Sequence, residues 1–371
     1  MQCCIDCFKD TDLRERIRSL NQLGQCDIHP EHSREHQVYT LTISDVNDPA
    51  SMASTIAADL EEIVGLYQPV AEISQELSAG RRHTLVDSLR DDWDIFNLNA
   101  TEIGDLIEIL LAHFKAENPV LFEDPVVPAV MLDPQARATK ALLGGKHWQD
   151  FERQIRETNR FHSNLFHDER FMPYLRELHD IIPARTRFFR ARIVGWHADL
   201  ADSEIGMPPA GMAGSGRLNA VGISNLYLAS EKDVTFTEIK AAMRDRIAYG
   251  EFEVVAPLTV INLEKIARIS PFRLEDKTAY LLDHADLRAI DAALRKPSSG
   301  ERSEVEYVPT QYISDLIKNI DVIDGIYFGS TLKSGAMDLV LFSEDKVELI
   351  HPIHYAQVKH TDLDVEDEPI R

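Results

Sequence analysis

Apolar positions recur at three and four residues in two long stretches of the chain and alternate with polar ones in several short stretches. In TIAADLEEIVGLY, Ile56, Leu60, Ile63, Val64 and Tyr67 fall on one helical face, and in ATEIGDLIEILLAHF, Ile103, Leu106, Ile107, Leu110 and Leu111 do the same. Thr101 is the expected N-cap of the second helix. Asn118-Pro119 is its expected end, because proline has no N–H to give and crowds the residue before it. A third helix is expected through HWQDFERQIRETNRF, and FEDPVVPAVMLDP reads as a Pro-rich linker. Residues 41–182 are therefore expected to form an all-helical domain. Residues 1–40, with one amphipathic stretch from Asp12 to Leu23 between two Cys/His pairs, read as a small metal-pinned cap.

At Ile182-Pro183 the period changes. FFRARIV, NLYLA, GEFEVVAPLTVINL, DGIYFGS and MDLVLF are β-branched and aromatic runs bounded by Gly, Pro, Asn or Asp, which predicts strands. EKDVTFTEIKAAMRDRI and YVPTQYISDLIKNI lie between them as helices. Strands interleaved with few helices predict an α+β domain over residues 183–355. The charged segment HTDLDVEDEPIR carries no core pattern, so residues 356–371 are expected to be a flexible tail.

Composition narrows the function. Of 371 residues, 62 are Asp or Glu and 39 are Lys or Arg, a formal charge of −23. Such a surface repels phosphate backbones and argues against broad binding of DNA or RNA, while leaving room for a local basic pocket. With 44% hydrophobic residues, wholesale disorder is excluded. No run approaches the ~18 to 20 apolar residues of a membrane span, and MQCCIDCFKD lacks a basic flank before an apolar run. No membrane association and a cytoplasmic location are expected.

All four cysteines, Cys3, Cys4, Cys7 and Cys26, lie in the first 26 residues. Cys4-x2-Cys7 and Cys26-x2-His29 are two donor pairs, and three thiolates with one imidazole make a closed tetrahedron that suits structural zinc. Cys3, His32 and His36 are further donors nearby. Catalytic zinc needs an open fourth position, which such a set does not leave.

Two constellations carry catalytic chemistry. Arg156-x5-His162, in RETNRFH, has a spacing that resembles the Arg/His motif of HEPN ribonucleases, with Arg160 and His167 as a poorer match. There an imidazole moves a proton from a ribose 2′-OH while arginine balances phosphate charge. The net acidity weighs against that reading. The sharper set is Arg190 in RFFRARIV, Arg217 and Asn219 in AGMAGSGRLNAVGISNLYLAS, Tyr227 on the following strand, Glu238 on the next helix and Ser330 after GIYFG. Between Arg185 and Tyr227 five arginines face three acids, a net of +2 inside an acidic protein.

The ordered set, and GRLNxxGxxxLYLAxxxxxTFTE above all, resembles the RES domain over about residues 185–355. The whole arrangement is similar to proteins in which a HEPN-like helical region with a zinc knuckle precedes that domain. The resemblance implies a multidomain fold: a zinc-knuckle cap, an all-α HEPN-like domain and an α+β, ADP-ribosyltransferase-like RES domain. It also implies NAD as substrate, with Arg190, Tyr227, Glu238 and Ser330 as catalytic residues, and with Arg190, Arg217, Asn219, Tyr227 and Ser330 binding the dinucleotide. RES proteins are toxins of two-gene pairs, some degrading NAD and some transferring ADP-ribose to protein. The expectation is an NAD glycohydrolase or phosphorylase acting as a growth-arrest toxin or phage-defence effector. An antitoxin or inhibitory protein, or a second copy of the chain, is its expected partner. The rivals are a protein mono-ADP-ribosyltransferase, a HEPN-type ribonuclease and a non-catalytic nucleotide sensor.

Overall fold

The structure, a computed structural model, describes residues 1–73, 83–296, 303–330, 332–333 and 335–359. Most of the expected tail lies outside these residues. The chain packs as two compact units, each discontinuous in sequence. One comprises Met1–His147, Asn164–Tyr174 and Ala267–Leu287; the other comprises Trp148–Ser163, Leu175–Ile266 and Arg288–Arg371. This grouping differs from the linear zones 1–40, 41–182 and 183–355.

In the first unit, β1 (Gln2–Cys4), β2 (Leu23–Gly24) and β3 (Val38–Thr42) form an antiparallel sheet in the order β1-β3-β2. The cysteine-rich segment is built into the helical one by backbone hydrogen bonds: Lys9 N–H donates to Ile95 O at 2.7 Å and Asn97 N–H to Cys7 O at 2.8 Å. Residues 267–287 join the same unit through ion pairs such as Arg273 to Asp12 at 3.0 Å. The helix Met52–Val64 buries Ile56, Leu60, Ile63 and Val64, the face its period predicts.

Three local expectations are corrected here. The helix Ala100–Leu110 is capped by Asn99, not Thr101: the Asn99 side chain accepts from Glu102 N–H while the Glu102 carboxylate accepts from Asn99 N–H. That helix breaks at Leu111, and Pro119 opens a short helix, Pro119–Glu123, because the first turn needs no N–H from it. The Pro-rich segment contains β5 (Val126–Pro128), paired antiparallel with β4 (Tyr67–Pro69). With its two small sheets the unit is not all-helical.

The second unit is built on an eight-stranded sheet. Its strands are β6 (His179–Ile182), β7 (Arg187–Val194), β8 (Leu226–Ala229), β9 (Arg246–Val254), β10 (Leu258–Asn262), β11 (Gly325–Gly329), β12 (Met337–Leu341) and β13 (Val347–Gln357). They lie in the order β13-β9-β7-β8-β12-β11-β10-β6, and only β10 and β11 run parallel. Phe188, Leu226, Leu228, Phe252, Val260 and Leu339 pack together as its core. The five predicted strand runs all pair here. β6 and β13, both edges, are additions: β6 is four residues long, and β13 carries Pro352 and a register shift between Ile350 and His354, features that edges tolerate and that blur alternation. The helix expected through EKDVTFTEIKAAMRDRI spans only Lys232–Glu238; Lys240 and Arg244 take positive φ, and the chain enters β9 at Arg246.

Leu339 is fully buried in the middle of this sheet. Leu339→Ala is expected to cost about 2 to 5 kcal/mol in urea-induced unfolding, through lost transfer energy and the cavity left behind.

Candidate functional site

Strand β7 positions the first arginine. Arg190 and Arg192 are two residues apart and share a face of the pleat. Arg190 donates from Nη1 to Tyr227 O on β8 at 2.9 Å, while its Nε is buried with no hydrogen-bond partner among the described residues. Burial, and after it the neighbouring Arg192 charge, lowers the Arg190 pKa to about 10. That guanidinium is short of counter-charge, as an anion site requires.

Two cavities meet on this wall. The larger, about 690 Å³, is lined among others by Arg190, Arg217, Tyr227, Glu238, Tyr307 and Asp338. The smaller, about 400 Å³, is lined by Arg190, Arg192, Tyr227, Thr235, Glu238 and neighbours. Arg190, Tyr227 and Glu238 face both, so the two form adjoining lobes of one cleft, in the size range of small-molecule sites.

Arg217 reaches the larger lobe from the loop before β8. Its guanidinium lies 5.7 Å from the centre of the Tyr307 ring, and its buried Nη1 has no hydrogen-bond partner among the described residues. The loop itself is held by a polar clamp. Tyr227 Oη donates to Asn219 Oδ1 at 2.7 Å and accepts from Leu218 N–H at 3.1 Å. Asn219 Nδ2 donates to the carbonyls of Gly214, Ala220 and Ile223. Gly216 is required here: a Cβ would lie 2.4 Å from Asn219 Oδ1 and 2.7 Å from Tyr227 Oη.

The helix Val308–Lys318 supplies the other half of the clamp. Gln311 Nε2 donates to Gly216 O at 2.8 Å and Asn219 O at 2.9 Å, Thr310 Oγ1 to Arg217 O at 2.7 Å and Ser314 Oγ to Leu218 O at 2.7 Å. Asn219 is thus a framework residue whose amide is consumed inside the loop; of its expected ligand role only its place in the cavity wall remains. Tyr227 keeps its ring against both lobes with its hydroxyl engaged, and burial raises its pKa.

Glu238 is the last residue of the helix Lys232–Glu238, whereas the longer expected helix places it near the middle. The residue is exposed where it opens to the cleft, with its carboxyl end crowded by protein. Burial, then the Asp338 carboxyl beside it, raises its pKa to about 8, against the pull of Arg217 and Arg190. Asp338 projects from β12, is 5% exposed, and is raised in turn by burial while Glu238 and Ser330 hydrogen-bond it. Ser330 is therefore not in the lining of either lobe; it acts on Asp338. Asp338, Tyr307 and Gln311 were missed from the sequence. The available signal for Asp338 was an acid inside the apolar run MDLVLF.

At the other end of the chain, Cys4, Cys7, Cys26 and His32 place one donor atom each within 4.8 Å of one another. Cys4 Sγ lies 3.7 Å from Cys7 Sγ and 3.4 Å from His32 Nδ1, and Cys7 Sγ is 3.4 Å from Cys26 Sγ. Zn–S bonds of about 2.3 Å in a tetrahedron put thiolates roughly 3.8 Å apart, so the set fits zinc with modest expansion. The fourth donor atom in this cluster is His32 Nδ1, where His29 was expected. His29 is drawn away because its Nδ1 bonds Glu102 Oε1 at 2.5 Å, while its N–H donates to Cys26 Sγ at 3.2 Å. Cys3 is buried outside the set.

Arg156 and His162 make no hydrogen bond to each other among the described residues. Arg156 donates to Glu152 Oε1 and Glu306 O, whereas His162 is exposed beyond the end of the helix Trp148–Glu157; the cavity that Arg156 lines is not lined by His162. No helix among the described residues is long and apolar enough to cross a membrane.

Residues 187–365, just under half of the chain, match the family model described as RES domain. The chain therefore carries a RES domain, a family associated with NAD-processing enzymes and toxins. Neither the curated proteins nor the solved structures contain a match. The match does not extend to the HEPN-like expectation for the helical segment, since it begins at residue 187.

Gly216→Ala is expected to break the Tyr227–Asn219 hydrogen bond and lower thermal stability by about 1 to 3 kcal/mol, the cost of leaving buried polar groups unpaired. In metal analysis of the purified protein, His32→Ala is expected to lose bound zinc and His29→Ala to retain it.

Proposed function

We propose that the RES domain cleaves the bond between nicotinamide and ribose in NAD, as a glycohydrolase or phosphorylase, and that the protein arrests growth by draining the dinucleotide. The observation that carries this reading is the meeting of two under-paired arginines, Arg190 and Arg217, with the carboxyls of Glu238 and Asp338 in the wall of the larger lobe. Nicotinamide leaves NAD as a neutral ring, so the reaction requires no strong acid; it requires help for the ribosyl cation that remains. Ionised Glu238 provides that help electrostatically and can orient the attacking nucleophile. Arg217 and Arg190 suit the diphosphate, for which guanidinium is a bidentate partner. The Tyr227 ring offers a flat apolar wall for nicotinamide or ribose. Ser330 contributes through Asp338, and Asn219 by holding Tyr227.

The Cys4, Cys7, Cys26, His32 set is proposed as a structural zinc centre, which when filled crosslinks the first unit and supplies no chemistry to the cleft. A cytoplasmic location, an antitoxin or inhibitory partner and the phage-defence role belong to the same proposal. Transfer of ADP-ribose to a protein would use the same residues, with a side chain as nucleophile.

The test is incubation of the full-length protein with NAD carrying a label on its adenylate half. Soluble ADP-ribose or its phosphate with free nicotinamide is the expected product, and label retained on protein would select transfer. Glu238→Gln is expected to lower nicotinamide release by about 100-fold or more, the scale of losing one preorganised electrostatic group. A wild-type protein that releases none, or a Glu238→Gln variant at full rate, overturns the reading.

A further inference from the structure

Asp338 was not among the expected site residues, yet it is a buried acid in the wall of the larger lobe. It stands on β12, opposite Phe328 of β11 and Ala229 of β8, neither of which carries a charge to neutralise it. Its Oδ1 has no hydrogen-bond partner among the described residues, and Glu238 and Ser330 are its hydrogen-bonding neighbours. Two acids so close, one buried and one opening to the cleft, do not both ionise freely; like charges at this range push one proton onto the pair. The opposing cations reach the pair from two other parts of the chain: Arg190 from β7 and Arg217 from its loop both pull Glu238 towards ionisation, and Arg217 also acts on Asp338.

We infer that Asp338 is a positioning residue for the reaction, holding Glu238 through one shared proton and receiving that proton when a cationic substrate enters the cleft. This rests on the NAD reading for the identity of the cation, namely the positively charged nicotinamide riboside portion. In the free protein Glu238 carries the proton and donates it to Asp338. When the cation arrives, the O–H bond on Glu238 breaks and one forms on the Asp338 oxygen that accepted its hydrogen bond. The pair keeps its net charge, and the anionic oxygen moves to the residue that faces the substrate. Ser330, by donating to Asp338, keeps that carboxyl in place for the exchange.

The test uses the full-length protein with Asp338→Asn, which preserves size and a hydrogen bond to Glu238 but cannot take its proton. In the wild type, kcat/KM for nicotinamide release is expected to rise with pH on an acidic limb near 8, the value to which Glu238 is raised. In Asp338→Asn, without the like charge, the limb is expected to move down by at least one pH unit. An infrared titration of isotope-labelled glutamate carboxyls, without NAD, reads the same group independently. The protonated band lost near pH 8 in the wild type should be lost at least one unit lower in Asp338→Asn and be missing in Glu238→Gln. An unshifted band in Asp338→Asn overturns the inference. Absence of nicotinamide release by the wild type bears on the NAD reading alone, because the infrared arm still decides the carboxyl pair.

Discussion

The 2.7 Å hydrogen bond from Tyr227 Oη to Asn219 Oδ1 is the contact on which the cleft depends. It ties the loop that carries Arg217 to strand β8, beside the strand that carries Arg190. Asn219 spends its other end on three carbonyls of its own loop, and Gln311 and Ser314 hold that loop from the far side. Polar groups buried this deeply are costly unless every one is paired, so the network has one stable arrangement. Uniqueness matters for a site that must aim two guanidiniums at one dinucleotide. The close approach at Gly216 is the geometric counterpart, since any side chain there would occupy the space of the bond itself.

The charge of the whole protein and the charge of the cleft have opposite signs for a physical reason. A formal −23 spread over the chain is screened within about 8 Å at physiological salt, so it acts weakly across a cavity wall. Arg190 and Arg217 act at contact range in a medium of lower dielectric, where their pull is several times stronger. Arg190 Nε and Arg217 Nη1 are buried without partners among the described residues and therefore favour an incoming anion over solvent. The acidic exterior keeps long polyanions away, while a single diphosphate that enters the cleft meets mainly the local field.

How much of this was legible follows from the range of each contact. Arg190, Arg217, Tyr227 and Glu238 could be picked out because residue type and order carry them, and all four line the cleft. The central strands were legible because packing on two sides forces β-branched and aromatic runs, as in LYLA and MDLVL. The edges β6 and β13 escaped because an edge is released from that demand. A ligand role for Asn219 is what the RES resemblance implies; only the fold reveals that its amide is already used. His29 and His32 both sit within reach of a cysteine in sequence, and the choice falls to Glu102, which lies 73 residues from His29 and engages it. Gln311 belongs to a helix whose apolar pattern is sufficient to explain it, and Asp338 is marked only by being an acid inside the apolar run MDLVLF, which does not say what it faces.

The carboxyl pair also makes the site a weak point of the folded state. A free glutamate ionises near 4.5, whereas folded Glu238 holds its proton to about pH 8. Between those values the folded protein binds more protons than the unfolded chain, so the group's contribution to stability falls as pH rises through the window and levels off above it. Near neutral pH the cleft is therefore held in an electrostatically unfavourable state. A cation placed against Glu238 relieves it, which couples binding to ionisation of the residue that the reaction needs charged. The same reasoning explains why two arginines approach the pair without cancelling it: full neutralisation would lower the Glu238 pKa, remove the strain and leave no cationic charge for a diphosphate. The partial balance among Arg190, Arg217, Glu238 and Asp338 lets one cleft hold an anion at one side and a cation at the other.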